Sequence, residues 1–176
     1  FSHENEEATP FYYSVFLDEY QTKIEVTSSE RAGHFKFTFP GADDAKIILQ
    51  PNNMPRAPHT KGDAYIEVIP ERNEIVGYNP VYRYYISTGQ PAGFSGYFVA
   101  RLNEPITDYQ VWQGLELVDG KSATGQPGAY VQFQTRNNQV IEMKVGCSFT
   151  SIEQARKNLD AEMPAQVTNT EAIRLD

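Results

Sequence analysis

The stretch His34-Phe35-Lys36-Phe37-Thr38-Phe39-Pro40-Gly41 decides the fold class of this sequence. Its three phenylalanines are two residues apart, so in an extended strand they all lie on one face, while Lys36 and Thr38 lie on the other. Pro40 and Gly41 disfavour strand pairing and end the run. We therefore predict a half-buried β-strand whose phenylalanines face a core.

A second alternating stretch covers residues 140–149. Its apolar positions alternate with polar ones, which predicts a strand with one buried and one solvated face. On this pattern Cys147 is a small buried hydrophobe and Glu142 is solvated. Because asparagine tolerates a positive φ, Asn137-Asn138 predicts a tight hairpin turn that joins this strand to a preceding one at residues 129–135.

Short runs rich in aromatic and β-branched residues recur along the chain, which contains 11 Tyr and 10 Phe. These residue types favour strands. We predict further strands at residues 12–17, 23–27, 46–49, 65–69, 82–87, 97–102, 109–112 and 115–118. Many short strands with turns between them predict a mostly β protein, either an antiparallel sandwich or a barrel.

One segment has helical periodicity instead. Ser151-Ile152-Glu153-Gln154 matches a capping box, apolar residues follow at helical spacing, and Pro164 ends the run. This predicts one short helix near the C-terminus, with Arg156 and Lys157 on its solvated face. The Gly-rich residues 88–96 are predicted to form a loop.

Length and charge exclude several classes of protein. The chain has 176 residues, which fits one domain. Its net charge is −8 without a basic cluster, so we predict no nucleic-acid partner. No stretch is apolar over the ~20 residues that a membrane-spanning helix needs, so we predict no membrane span. Because the sequence begins with Phe1, we expect it to be part of a longer polypeptide.

Residue patterns that carry chemistry are few. The sequence has no phosphate-binding loop and no HExxH or CxxC metal motif, and its 23 Asp and Glu residues show no spacing that selects a catalytic pair. His3 and Glu6 lie in a polar cluster before the first strand, which is either a solvated terminus or a strand mouth that faces a ligand. Trp112 is either packed in the core, the more frequent case, or a platform for sugar stacking.

Several segments resemble glycoside hydrolase family 92, in order along nearly the whole chain. Near the start these are Phe1-Ser2-His3-Glu4-Asn5-Glu6-Glu7, Tyr12-Tyr13-Ser14-Val15 and Arg31-Ala32-Gly33-His34-Phe35. Downstream, the resemblance continues through Tyr97-Phe98-Val99-Ala100, Gly128-Ala129-Tyr130-Val131 and residues 144–159. Members of this family are mostly α-mannosidases, many of them specific for α-1,2 linkages.

The resemblance implies that residues 1–164 form the family's N-terminal β-sandwich, of the supersandwich or galactose-mutarotase-like type. Residues 165–176 then begin a linker to a catalytic (α/α) barrel outside this chain. The family's exo-acting enzymes invert the anomeric carbon and need calcium, and both the metal and the catalytic carboxylates belong to the barrel. We therefore expect no catalytic residue and no metal ligand within this chain.

The resemblance also implies partners and site residues. The implied partners are the chain's own catalytic barrel and mannose-containing glycans, and the implied location is the periplasm or the cell surface. His3, Glu6, Arg31 and His34 match family motifs, and they are implied to contact substrate or to line the domain interface. For Arg31 and His34 the alternative is a structural role.

Two departures from the family pattern are present. Phe11 stands where the family usually has glycine, and the Gly-, His- and Trp-containing stretch that precedes the first motif is missing. These departures argue against sugar recognition by this chain alone. Because the resemblance places the catalytic carboxylates in the barrel, we also expect the chain to be inactive alone. The alternative is a free-standing carbohydrate-binding or adhesion module, in which Trp112 and the tyrosine-rich strands supply stacking surfaces.

Overall fold

The computed structural model describes residues 1–51, 64–83 and 90–164. Within these ranges the chain forms thirteen strands and one α-helix, and every strand pairing is antiparallel. The elements are β1 (Glu6–Ala8), β2 (Tyr13–Leu17), β3 (Thr22–Ser28), β4 (Ala32–Phe39), β5 (Ala42–Leu49), β6 (Ala64–Ile69), β7 (Glu74–Arg83), β8 (Gln90–Leu102), β9 (Asp108–Gln113), β10 (Glu116–Val118), β11 (Ser122–Gly125), β12 (Pro127–Thr135), β13 (Gln139–Ser148) and α1 (Ile152–Glu162).

The strands form two sheets that pack face to face. The larger sheet has the order β1-β2-β3-β4-β13-β8-β7-β6-β11, and the smaller has the order β10-β9-β12-β5. The core lies between them and is built from the inward apolar residues of both sheets, among them Ile66, Ile75, Val111, Val131 and Phe133. This arrangement confirms the prediction of a mostly β protein and selects the antiparallel sandwich over the barrel.

The phenylalanine strand lies where its pattern predicts, on β4 between β3 and β13. Phe35, Phe37 and Phe39 share the inner face, with neighbouring ring centroids 6.4 and 6.2 Å apart. Phe39 is buried, while Phe35 and Phe37 are half-buried. The row of rings therefore runs from the core toward its margin.

The predicted hairpin between residues 129–135 and 140–149 is wrong. β12 pairs with β5 and β9, whereas β13 pairs with β4 and β8 in the other sheet. Asn138 does have a positive φ of 60°, but the turn leads the chain from one sheet to the other. Both strands have an apolar face, and these faces are buried by packing across the core.

Three further expectations change. Residues 90–96, predicted as part of a loop, belong to β8 and pair with β7. Cys147, predicted as buried, is exposed because it lies at the end of β13, outside the main core cluster. The strand predicted at 82–87 is described only at residues 82 and 83, which belong to β7, and residues 165–176 lie outside the described ranges.

The helix α1 covers the outer face of the larger sheet. Ser151 caps it, since its Oγ accepts a hydrogen bond from the Gln154 backbone N–H at 3.1 Å, as the capping box predicts. Ala155 and Leu159 pack with Val76 and Val99 of the sheet. In the part of the chain that the structure describes, no helix is long and apolar enough to cross a membrane.

Candidate functional site: the helix clamp and the N-terminal pair

A buried carboxylate joins α1 to the larger sheet. Glu74 on β7 is 1% exposed, and its Oε1 accepts hydrogen bonds from Arg101 Nε and Nη2 at 3.0 and 2.9 Å. Its Oε2 accepts from Arg156 Nε and Nη2 on α1 at 3.2 and 2.9 Å. Burial by itself would raise the pKa of Glu74, but the two guanidinium groups outweigh it and hold the pKa below its usual value.

The same network continues to the surface of the helix. Arg101 lies opposite Glu74 in the register of β7 and β8, and its Nη1 donates to Asp160 Oδ1 at 2.7 Å. Arg156 was predicted on a solvated face, yet it is only 20% exposed. The prediction is wrong because β7 presents a buried carboxylate, Glu74, beneath the helix.

Arg31 ties the last turn of α1 to the turn between β3 and β4. Its Nε donates to Glu162 Oε1 at 2.6 Å and its backbone N–H donates to Oε2 at 2.8 Å. Ser29 Oγ donates to the same Oε2 at 2.6 Å. Although partial burial would raise the pKa of Glu162, these three hydrogen bonds and the charge of Arg31 lower it.

His34 is fully buried on the face of β4 that lies toward α1. Its Nε2 is 3.1 Å from Glu142 Oε2, and its Nδ1 is buried without a hydrogen-bond partner among the described residues. Burial lowers the pKa of His34, and the Glu142 carboxylate opposes this only in part. Glu142 was predicted as solvated, but its side chain is 15% exposed because it lies beside this histidine.

Lys144 connects the His34 region to the end of the helix segment. It is the cross-strand neighbour of His34, and its Nζ donates to the backbone oxygen of Pro164 at 2.9 Å. Thus Arg31 and His34 both lie near the place where α1 ends. In the described structure they contact groups of the domain itself, and these contacts orient them.

His3 and Glu6 form a separate pair at the β1 edge of the larger sheet. His3 Nδ1 lies 2.6 Å from Glu6 Oε2, with the side chains 89% and 24% exposed. Hydrogen bonds from His3 and then from Tyr13 lower the pKa of Glu6. Strands β2 and β3 lie between this edge and His34 on β4. The structure therefore pairs His3 with Glu6 but does not join them to Arg31 and His34.

Metal binding finds no support in the donor set. Across residues 1–51, 64–83 and 90–164, no three His, Cys, Asp or Glu side chains form a group that would hold a metal ion. No chemical step is assigned to a metal here.

Trp112 belongs to neither of the two buried clusters. It lies half-buried on the outer face of the smaller sheet, opposite Gly128 on β12. The more frequent expectation, core packing, is therefore wrong for this residue. Successive residues of a strand face opposite sides of the sheet, and Val111 faces the core, so Trp112 faces outward.

Sequence reasoning missed the two carboxylates that organise the helix side, Glu74 and Glu162. Glu74 directly precedes Ile75 and Val76, and a carboxylate at the start of an apolar strand was the available signal. Glu162 had no such signal, because its partners Ser29 and Arg31 are more than a hundred residues away in the sequence.

Comparisons with known proteins agree on one family. Residues 1–148 match the glycosyl hydrolase family 92 N-terminal domain. The family GH92 alpha-mannosidase BT3965 from Bacteroides thetaiotaomicron superposes with a TM-score of 0.82 at 26% identity, over 98% of this chain and 23% of that one. The gh92 family glycosyl hydrolase ccman5 superposes with a TM-score of 0.80 at 26% identity, over 99% of this chain and 23% of that one.

A third structure supports the fold alone. The family GH92 inverting mannosidase BT2199 from Bacteroides thetaiotaomicron VPI-5482 has a TM-score of 0.81 at 23% identity, over 98% of this chain and 22% of that one. No curated protein sequence matches the chain significantly. The chain thus spans less than a quarter of the length of these solved structures.

Proposed function

We propose that this chain, which belongs to glycosyl hydrolase family 92 as its N-terminal domain, is the supporting β-sandwich of a larger exo-α-mannosidase that inverts the anomeric carbon. The observation that carries the proposal is the family match over residues 1–148 together with relatives more than four times as long. In this role the chain holds a catalytic (α/α) barrel and helps to wall its substrate pocket. It has no catalytic activity alone.

The contacts between α1 and the larger sheet are an argument for this role. Glu74, Arg101 and Arg156 fix α1 to the sheet by hydrogen bonds of 2.9–3.2 Å. Glu162 and Arg31 fix its last turn. A helix held at several points can set the direction in which a following domain continues, because each bond removes a way for the helix to tilt.

The finer features of the activity are also proposals. Cleavage of α-1,2-linked mannose, dependence on calcium bound outside this chain, and export to the periplasm or cell surface rest on the family resemblance. His3 and Glu6 are proposed to line the pocket wall or the domain interface. Their pairing at 2.6 Å leaves His3 89% exposed and oriented by a carboxylate, which suits a hydrogen bond to a hydroxyl group or to another domain.

The experiment compares the 176-residue chain with the full-length protein from the same gene on an α-1,2-mannobioside. We expect turnover only by the full-length protein, its loss with a chelator, and its return with added calcium. Turnover by the isolated chain would overturn the proposal. So would a full-length protein without a helical domain, or one that is inactive on all α-mannosides.

A matched pair of variants in the full-length protein tests the site residues. His3→Ala should raise KM or lower kcat if His3 lines the pocket, whereas Lys121→Ala, which changes an exposed ion pair with Glu71, should leave both parameters unchanged. Equal kinetics for both variants and for the unmodified enzyme would remove His3 from the pocket wall.

A further inference from the structure

The outer face of the smaller sheet carries an apolar band that the sandwich core does not use. Because successive residues of a strand face opposite sides of a sheet, one residue beside the core-facing positions of each strand points away from the core. These residues are Leu117 on β10, Trp112 on β9, Tyr130 on β12 and Ile48 on β5. Leu117 and Ile48 are 71% and 65% exposed. The band crosses all four strands of this sheet, so it forms one continuous surface.

Two aromatic side chains have defined places within the band. Trp112 lies opposite Gly128, and its indole occupies the space above that glycine, where an added Cβ would meet Trp112 Cζ2 at 2.1 Å. Tyr130 lies opposite Gln110, two residues along β9 from Trp112. The two rings are therefore diagonal neighbours, with a separation of roughly 7–8 Å between their backbones.

The polar groups beside the rings favour a neutral ligand. Gln110, on the same face, donates from Nε2 to the backbone oxygens of Val118 and Val111 at 2.8 and 3.1 Å, which holds its amide on the β10 side of β9. Lys46 Nζ lies 5.6 Å from the centroid of the Tyr130 ring and 3.3 Å from Asp44 Oδ2. Lys46 is thus paired with a carboxylate, and it is the only cation on this face among residues 1–51, 64–83 and 90–164, so these residues offer no free positive charge to attract an anion.

Two aromatic rings with an amide on the same face match the chemistry of saccharides. A pyranose ring presents C–H groups that pack on an aromatic face and hydroxyl groups that bond to amides. Two rings on neighbouring strands would contact two sugar units in succession. The apolar band with its charge balance therefore fits an oligosaccharide better than a polyanion.

The rest of a longer polypeptide is a less suitable occupant. Both α1 and Pro164, the last described residue, lie on the outer face of the other sheet, with the core between them and the band. A domain that follows α1 is expected on that side. A following domain on that side would not cover the band.

We propose that the outer face of the smaller sheet, centred on Trp112 and Tyr130, is a saccharide-binding surface for chains of two or more neutral sugar units. This surface does not depend on the proposed catalytic partner. It would bring the protein to glycan chains whether or not the bound chain is then cleaved.

The test uses the single tryptophan of the chain, which makes intrinsic fluorescence a direct reporter of the band. The 176-residue chain is titrated with α-1,2-mannobiose, mannotriose and cellobiose. We expect a saturable change in emission with at least one of them. Tyr130→Ser should weaken binding about five- to tenfold, whereas Phe149→Ser, at an exposed position outside the band, should bind like the unmodified chain.

A second variant keeps the test decisive if Tyr130→Ser does not fold. Leu117→Lys alters an exposed position beside Trp112 and should also weaken binding. No saturable change with any of the three sugars up to their solubility, or equal affinity in Leu117→Lys and the unmodified chain, overturns the proposal. Sedimentation that shows a dimer whose formation shifts the Trp112 emission would also overturn it, because a second copy would then cover the face.

Discussion

Replacing Glu74 with glutamine should weaken the attachment of α1 to the larger sheet. Removing one partner of a buried ion pair costs about 3–5 kcal/mol when the remaining charges stay buried. Here Arg101 and Arg156 are 35% and 20% exposed, so water can solvate the freed guanidinium groups. We therefore expect the free energy of unfolding to fall by about 2–3 kcal/mol, which lowers the Tm by roughly 5–10 °C for a domain of this size.

Urea denaturation followed by two signals measures this loss. Far-UV circular dichroism reports the whole chain, and Trp112 fluorescence reports the smaller sheet, which is remote from α1. Coincident transitions would show that the domain unfolds as one unit. Glu71→Gln is the matched control, since Glu71 is 66% exposed in its pair with Lys121 and its loss should change stability little.

The pH dependence provides an independent check on Glu74. Its pKa lies below the ordinary value in the folded state, so its ionised form stabilises the fold fully above the ordinary carboxyl pKa of 4.5. This stabilisation is lost as the pH falls through the lowered pKa. The difference between the unmodified chain and Glu74→Gln should therefore shrink in acid. A difference that stays constant in acid, or a loss no larger than that of Glu71→Gln, would refute the reasoning.

Three further predictions follow from close packing and burial. Gly146→Ala places a Cβ 2.3 Å from the Ala155 backbone oxygen, so α1 must shift, and thermal unfolding should show a free energy of unfolding lower by about 1–3 kcal/mol. Gly33→Ala is the control, since its added Cβ would have its nearest contact at 3.4 Å, and equal losses in the two variants would count against this account. Burial lowers the pKa of His34, so the stability that comes from its neutral form is complete above pH 6.5 and is lost as the pH falls through the lowered pKa. The Tm should therefore decline more steeply below pH 6.5 in the unmodified chain than in His34→Gln. Parallel plots of Tm against pH would contradict this prediction. Gly128→Ala should displace the Trp112 indole toward water and shift its emission to longer wavelength, because the added Cβ would meet the indole ring. Gly96→Ala, where the nearest atom is 3.9 Å from the added Cβ, should leave the emission unchanged. An unchanged spectrum in Gly128→Ala would disprove the contact between Trp112 and Gly128.

Local patterns predicted the elements well. Alternation identified the strand at His34–Phe39, and the capping box located α1, because both depend on backbone geometry over a few residues. The same reasoning missed β1, most of β7 and β11, and it placed Gly-rich residues 90–96 in a loop. Their strands are set by pairing with neighbours, which residue composition alone does not reveal.

The candidate site was predictable only in part. The family motifs made Arg31, His34, His3 and Glu6 candidates, but motifs do not tell which of them lie together. The structure separates the two pairs, because β2 and β3 lie between the edge strand and β4. Arg31 is oriented by Glu162 and His34 by Glu142, and each of these partners lies more than a hundred residues away in the chain.

The sequence by itself determined that this protein is mostly β, that one capped helix follows the strands, and that the chain belongs with the N-terminal domains of glycosyl hydrolase family 92. Periodicity and motifs suffice for these statements because they are read from neighbouring residues. Only the tertiary structure decided that β12 and β13 lie in different sheets, that Glu74 is buried among arginines, and that Trp112 lies on an outer face. Burial of an apolar face is favourable, but whether another sheet, a helix or nothing in this domain covers that face depends on how distant segments of the chain pack.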